Sequence, residues 1–247
     1  MATGNRVLVL LLAAACVACA PTKQARSVER SGFLGDLYPL MKKGGDGEAL
    51  LIYKSSRVAD IPRGTYTKML LEPVTIWAPP GQRDEQRVRD EQHLADMLYS
   101  LTYENLAPDY EMVTEPGPNT LRIQSAITSA TRSYVVLRAV STIPAPMNAF
   151  AVGSLVKDLV TGKPLFVGDV SLEMKVLDAE TGEVLGASAD RRVGKRHLDS
   201  HSLDSWDDVH QALKYWAQKV RWRFCKERGE ANCPFARMVS FGLFTES

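Results

Sequence analysis

Cysteine and histidine are the side chains most able to do chemistry in this 247-residue chain, which has four of each. Cys19 follows an apolar run over residues 7–18, itself preceded by Arg6, and leads into the polar stretch 20–30. A basic residue, a short apolar run, small residues and then a cysteine form the pattern of a signal peptide whose cysteine is acylated. The run is about a dozen residues, whereas a helix needs roughly 20 to span a bilayer. Two alternatives stay open: acylation at Cys16, which follows three alanines, and an ordinary secretory signal with no lipid. Cys19 is the expected lipid site, because Val17-Ala18 suit the two preceding positions and the polar stretch begins at once after it.

The other cysteines, Cys225 and Cys233, have seven residues between them. In an oxidising compartment they are expected to form a disulfide closing a short loop. His197, His201 and His210 fall near Asp199, Asp204, Asp207 and Asp208. If residues 197–201 were helical, His197 and His201 would share a face, so a metal-dependent hydrolase is an alternative. The simpler reading is a polar loop before a capped helix, and no metal or cofactor is expected.

Further catalytic motifs are missing. Val152-Gly-Ser-Leu155 lacks the second glycine of a nucleophile elbow, and Thr161-Gly-Lys-Pro164 has proline where a phosphate loop needs Ser or Thr. Asp207-Asp208 suits a helix cap better than an acid–base pair. Loss of the signal removes Arg6 and no acidic residue, so the remaining charges balance. That gives no electrostatic footprint for nucleic acid.

These residues need elements to position them. Residues 19–32 are polar and aperiodic and read as a flexible, lipid-anchored tether, with a reach near 20 Å on average. Residues 33–48 read as an N-terminal flap: Phe33, Leu34, Leu37, Tyr38 and Met41 form an apolar side, and Pro39 forbids a long helix. Residues 49–247 read as a single domain. Strands are expected at 49–54 and 66–77, with Pro73 placing the second at an edge or bulge. A helix at 84–107 buries a stripe of Val88, Glu91, Ala95, Leu98, Thr102 and Leu106. Short strands follow at 110–113 and 121–128. Residues 134–140 are ambiguous, and 147–160 read as helical.

The clearest signal is a hairpin. Val170, Leu172, Met174 and Val176 alternate with Ser171, Glu173 and Lys175, and Gly182 supplies the turn before a return strand at 184–193. The last helix, about 205–228, opens on a candidate capping box at Ser205–Asp208. Its buried stripe is Trp206, Val209, Leu213, Trp216, Val220 and Phe224. Lys214, Lys219, Arg221 and Arg223 read as a solvated face. Tyr215 and Trp222, seven apart on that outer face, are the candidate partner contacts. The expected fold is α+β: a mixed or antiparallel sheet of about five or six strands against two long helices.

Several stretches carry a resemblance: Cys19-Ala-Pro-Thr22, Ser31-Gly-Phe-Leu-Gly-Asp36, Glu72-Pro-Val-Thr-Ile-Trp77, Ala126-Ile-Thr128, Thr161-Gly162, Phe166-Val-Gly168, Val176–Leu185 and Asp190-Arg-Arg-Val-Gly194. Over most of its length the chain resembles an uncharacterised family of bacterial envelope lipoproteins. The resemblance implies a lipid on Cys19, and Ala20 after it resembles the pattern of outer-membrane sorting. More weakly, the element order is similar to small periplasmic lipoprotein domains that serve in envelope assemblies or activate peptidoglycan synthases. The expected role is a non-enzymatic interaction, scaffold or accessory component, anchored in the outer membrane, facing the periplasm and contacting another envelope protein. The alternative is a carrier of a small envelope ligand or lipid, which needs an apolar cavity.

Overall fold

The computed structural model describes residues 22–77, 85–131, 169–194 and 206–233. Cys16, Cys19, His197, His201, the 134–140 segment and the expected helix at 147–160 lie outside them. The strands are β1 (Thr22–Gln24), β2 (Lys42–Lys43), β3 (Leu51–Lys54), β4 (Lys68–Leu71), β5 (Thr75–Ile76), β6 (Glu111–Val113), β7 (Thr120–Thr131), β8 (Asp169–Asp178) and β9 (Val184–Gly194). Two long helices accompany them, α1 (Glu85–Leu106) and α2 (Asp207–Arg228).

All nine strands join one mixed sheet, ordered β2-β3-β9-β8-β7-β4-β6, with β1 also on β9 and β5 also on β7. The fold is α+β, with more strands than the five or six expected. The surplus consists of two- and three-residue pieces whose pairing is made by backbone and needs no side-chain pattern. Residues 66–77 supply two strands instead of one. Pro73 has no N–H for the ladder, so β4 stops at Leu71 and β5 resumes at Thr75, both parallel to β7.

The hairpin β8–β9 turns as expected, with Gly182 at φ 73°. Asp178 Oδ1 accepts the N–H groups of Glu180 and Thr181, which fixes the turn. Both helices cover one sheet face, where Leu94, Leu98, Val209, Leu213 and Trp216 pack on Ile123, Val170 and Leu172. Val88, expected in the α1 stripe, is instead 51% exposed, so the buried stripe begins at Glu91. The helix cap position falls on Trp206, which makes no side-chain cap hydrogen bond, and Ser205 of the expected capping box lies outside the described residues.

The opposite sheet face is covered by the N-terminal segment. A 3-10 helix at Gly35–Leu40 includes Pro39 and packs Leu34 and Tyr38 on Ala187 and Ala189 of β9. The tether expectation needs correction here. Thr22–Gln24 pair with Arg192–Gly194, and Thr22 is 1% exposed, so this part of the tether is docked strand. Glu173, which alternates with Leu172 and Met174, is buried beneath the same covering segment, and Ser171 is buried beside Ser129.

Candidate functional site

The periodicity of α2 gives it two working faces. One buries Val209, Leu213 and Trp216; the adjacent one presents Tyr215, Lys219, Val220, Arg223 and Phe224 to a cavity of about 560 Å³. The cavity floor is the sheet, through Leu121, Leu172, Met174, Val176 and Leu185. Val58, Ile61 and Tyr66 close one side, and the turn at Gly47–Ala49 closes another. From Tyr215 to Arg228 the cavity follows α2 for about 20 Å, at 1.5 Å per helical residue.

One stretch of the cavity wall is strongly polar. Asp190 is buried; its carboxylate accepts hydrogen bonds from Trp216 Nε1 at 2.8 Å, Gln24 Nε2 at 2.7 Å and Leu50 N at 3.3 Å. Burial pushes its pKa up despite these donors. Behind it, Arg192 donates to Thr22 Oγ1 and to the Thr22 carbonyl, both at 3.1 Å. Its guanidinium stacks 3.9 Å from the Tyr215 ring centre. Burial holds the pKa of Arg192 below its usual value and raises that of Tyr215.

Lys219 lies 3.8 Å from the centre of the Trp222 ring. Its pKa is lowered, chiefly by burial and then by Arg223. Arg223 pairs with Glu48, whose carboxylate also accepts the Gly45 N–H at 2.8 Å. The Gly45 N–H and then Arg223 keep the Glu48 pKa below the usual carboxylate range. The donors around Asp190 make it a structural acceptor.

A family model described as "Protein of unknown function (DUF3313)" matches residues 29–220. The chain belongs to the DUF3313 family. The match covers both the covering segment and most of α2, so the cavity of this DUF3313 chain lies largely within family sequence. No curated protein matches it in sequence. Among solved structures it is similar to a DUF330 protein from Xanthomonas campestris, at 10% identity and TM-score 0.38, covering 68% of this chain and 91% of that one. It is also similar to the PelC dodecamer from Paraburkholderia phytofirmans, at 10% identity and TM-score 0.33, covering 63% and 87%. Lipoprotein GNA1162 from Neisseria meningitidis gives 13% identity and TM-score 0.30, covering 56% and 90%. TM-scores this low leave the role of the chain to its own geometry.

The sequence-predicted site residues fall as follows. Cys225 and Cys233 are joined, with an S–S distance of 2.06 Å, at the C-terminal end of α2. Tyr215 is not on an open outer face: it is half-buried between Arg192 and the cavity. Trp222 is half-buried beside Lys219. The cationic series on α2 is not a solvated face either. Lys214 is exposed, but Lys219, Arg221 and Arg223 are half-buried, with Arg221 bonded to Asp109 and Arg223 to Glu48. His210 faces His93 of α1, with ring centres 6.2 Å apart. Among the described residues no group of three His, Cys, Asp or Glu side chains is placed to hold a metal ion.

Glu173, Asp190 and Arg192, with half-buried Glu48, carry the polar chemistry of the interior, and none was singled out from the sequence. For Asp190 and Arg192 a signal existed, since both lie in the Asp190-Arg-Arg-Val-Gly194 stretch that carries the family resemblance.

Proposed function

We propose that this chain is a non-enzymatic accessory protein of the bacterial envelope, held to the outer membrane by a lipid on Cys19 and facing the periplasm. Its working part is the cavity beneath α2, which holds a small ligand with an apolar chain. The cavity carries this reading. Its volume of about 560 Å³ falls inside the range of about 300–1,000 Å³ usual for small-molecule sites, and its floor and the side formed by Val58, Ile61 and Tyr66 are aliphatic and aromatic.

Scaffolding alone is the second reading. Its candidate contacts are Tyr215 and Trp222; Tyr215 is turned into the cavity wall and Trp222 is half-buried beside Lys219. Half-buried Val176 on the floor offers the test, because tryptophan there fills the space from a strand position that favours large side chains. Binding of a hydrophobic fluorescent dye, displaced by dodecanol, is measured on the wild type and on Val176→Trp. At least tenfold weaker binding to the filled variant, with unchanged circular dichroism, is expected. Equal binding to both would sink the cavity reading.

A further inference from the structure

The loop closed by Cys225 and Cys233 sits at one end of the cavity. Phe224 and Arg228, which flank Cys225 in α2, line that end, and Gly229 lies against Arg63, another lining residue. The disulfide holds the Cα atoms of Cys225 and Cys233 5.6 Å apart, so the chain beyond Cys233 starts beside the cavity.

Residues 234–247 follow, outside the described residues, and their sequence is strongly apolar, with Phe235, Met238, Val239, Phe241, Leu243 and Phe244. Arg237 and Glu246 are the charged residues among them. In an extended conformation Val239, Phe241 and Leu243 fall on one side, and Ser240 and Gly242 on the other. A segment patterned in this way has one face to bury. The cavity floor, with Leu172, Met174 and Val176, is an apolar surface that such a face fits. Eight residue steps from Cys233 to Phe241 span up to about 28 Å, and the cavity follows α2 for about 20 Å. Phe241 is therefore within reach of the whole floor.

Building on the cavity reading, we infer that residues 239–243 are an internal competitor for the cavity. Phe241 and Leu243 lie on its floor when it holds no ligand and leave when an apolar ligand enters. A second copy or a separate protein has to find this floor by diffusion, whereas these residues are joined to its end. So short a link gives an effective concentration of the order of 1 mM. An intrinsic dissociation constant of about 0.1 mM for the segment then weakens ligand binding roughly tenfold.

The test uses the full chain carrying Cys19→Ser, so that no attached acyl chain competes. A hydrophobic fluorescent dye, displaceable by dodecanol, is titrated into this parent and into the same chain with Phe241→Asp and Leu243→Asp. The tail variant is expected to bind roughly tenfold more tightly. Adding Val176→Trp should remove that gain, which excludes dye taken up by a loosened fold. Separately, benzoylphenylalanine in place of Phe241 is irradiated, and its adducts are mapped by mass spectrometry. They are expected on Met174 or Val176 of the same chain, and to fall several-fold when dodecanol is present. Equal dye binding by parent and tail variant, lost from both with Val176→Trp, overturns the internal competitor while the cavity stands. Adducts between two chains, or on residues away from the floor, assign the segment to a second copy or another surface and overturn it likewise. No displaceable dye binding by either chain overturns the cavity reading itself.

Discussion

The hydroxyl of Tyr38 donates to the Glu173 carboxylate, lying 2.9 and 2.8 Å from its two oxygens, although 135 residues separate them in the chain. Glu173 is 0% exposed and also accepts from the N–H and hydroxyl of Ser31, at 3.2 and 2.8 Å. The Ser31-Gly-Phe-Leu stretch is thereby bonded to the middle of β8, and Lys175 covers the Phe33 ring at 4.6 Å. The N-terminal flap thus packs on the sheet as a hydrogen-bonded cover.

Tyr38→Phe removes one donor from a carboxylate that water does not reach. Losing a hydrogen bond to a buried charged group costs about 1–3 kcal/mol. In a domain of this size that lowers the melting temperature by roughly 2–12 °C. Thermal unfolding followed by circular dichroism checks it; a shift below about 1 °C would show that the contact stabilises nothing.

The Cys225–Cys233 bond closes a small loop at the end of α2, next to the cavity-lining residues Phe224 and Arg228. Loop-entropy arithmetic for eight residues of separation gives about 2.5 kcal/mol. A Cys225→Ser, Cys233→Ser double variant should lose about that much in urea titrations. Reductant should then lower the stability of the wild type but not of the variant. Equal sensitivity of both to reductant would refute the assignment.

How far these features could be read from sequence depends on which neighbours supply them. The β8–β9 hairpin was readable because alternation and the Asp178–Gly182 turn are local. The face of Glu173 was readable too, but its burial was not: the cover comes from residues 31–38, and alternation says nothing of what lies across a face. Residues 22–24 looked like free tether because strand pairing to β9 uses backbone groups that any polar residue has. Tyr215 and Lys219 looked solvated because a helical stripe identifies one buried face, while α2 uses a second face to wall the cavity. Val88 fits the stripe geometrically and still lies one turn before the region where α1 meets the sheet.

Arg221 binds Asp109 through two hydrogen bonds, 2.9 and 3.0 Å, joining α2 to the end of α1. The Arg221 guanidinium holds the Asp109 carboxyl below the usual carboxylate range. A carboxyl with a depressed folded-state pKa adds stability above its unfolded value and loses it as pH falls through the folded one. Arg221→Gln should therefore cost about 1 kcal/mol at pH 7, and the difference should shrink as pH drops below about 4. Urea titrations across that range decide it; a difference constant with pH would remove the ion pair as its cause.

Gly229 ends α2 at φ 79°, and a Cβ there would fall 2.5 Å from Arg63 Nη1. Gly229→Ala combines left-handed strain with that collision, so it should cost about 1–2 kcal/mol. Arg63→Ala in the same chain should recover the collision part and leave the strain. Equal stability of both alanine variants at 229, with and without Arg63, would show that Arg63 simply moves aside.

The docking of β1 constrains how an anchored chain would stand on its membrane. Only Ala20 and Pro21 separate Cys19 from Thr22, and three residue steps span at most about 11 Å. Thr22 is fixed to β9 and Arg192, so a lipid on Cys19 brings the Thr22–Gly194 end of the sheet to the bilayer. The N-terminal end of α2 lies at that same end, where a Cβ on Gly194 would collide with the Asp208 carboxylate. The helix then runs 22 residues, about 33 Å, to its far end, where Lys54 meets Glu227. Labelled palmitate should enter the wild type and not Cys19→Ser. On vesicles with nitroxide-bearing lipids, a fluorophore on Lys23→Cys should be quenched strongly and one on Lys54→Cys weakly. Equal label in both chains would move the lipid from Cys19, and equal quenching at the two positions would mean that the domain lies flat or hangs free, with β1 undocked.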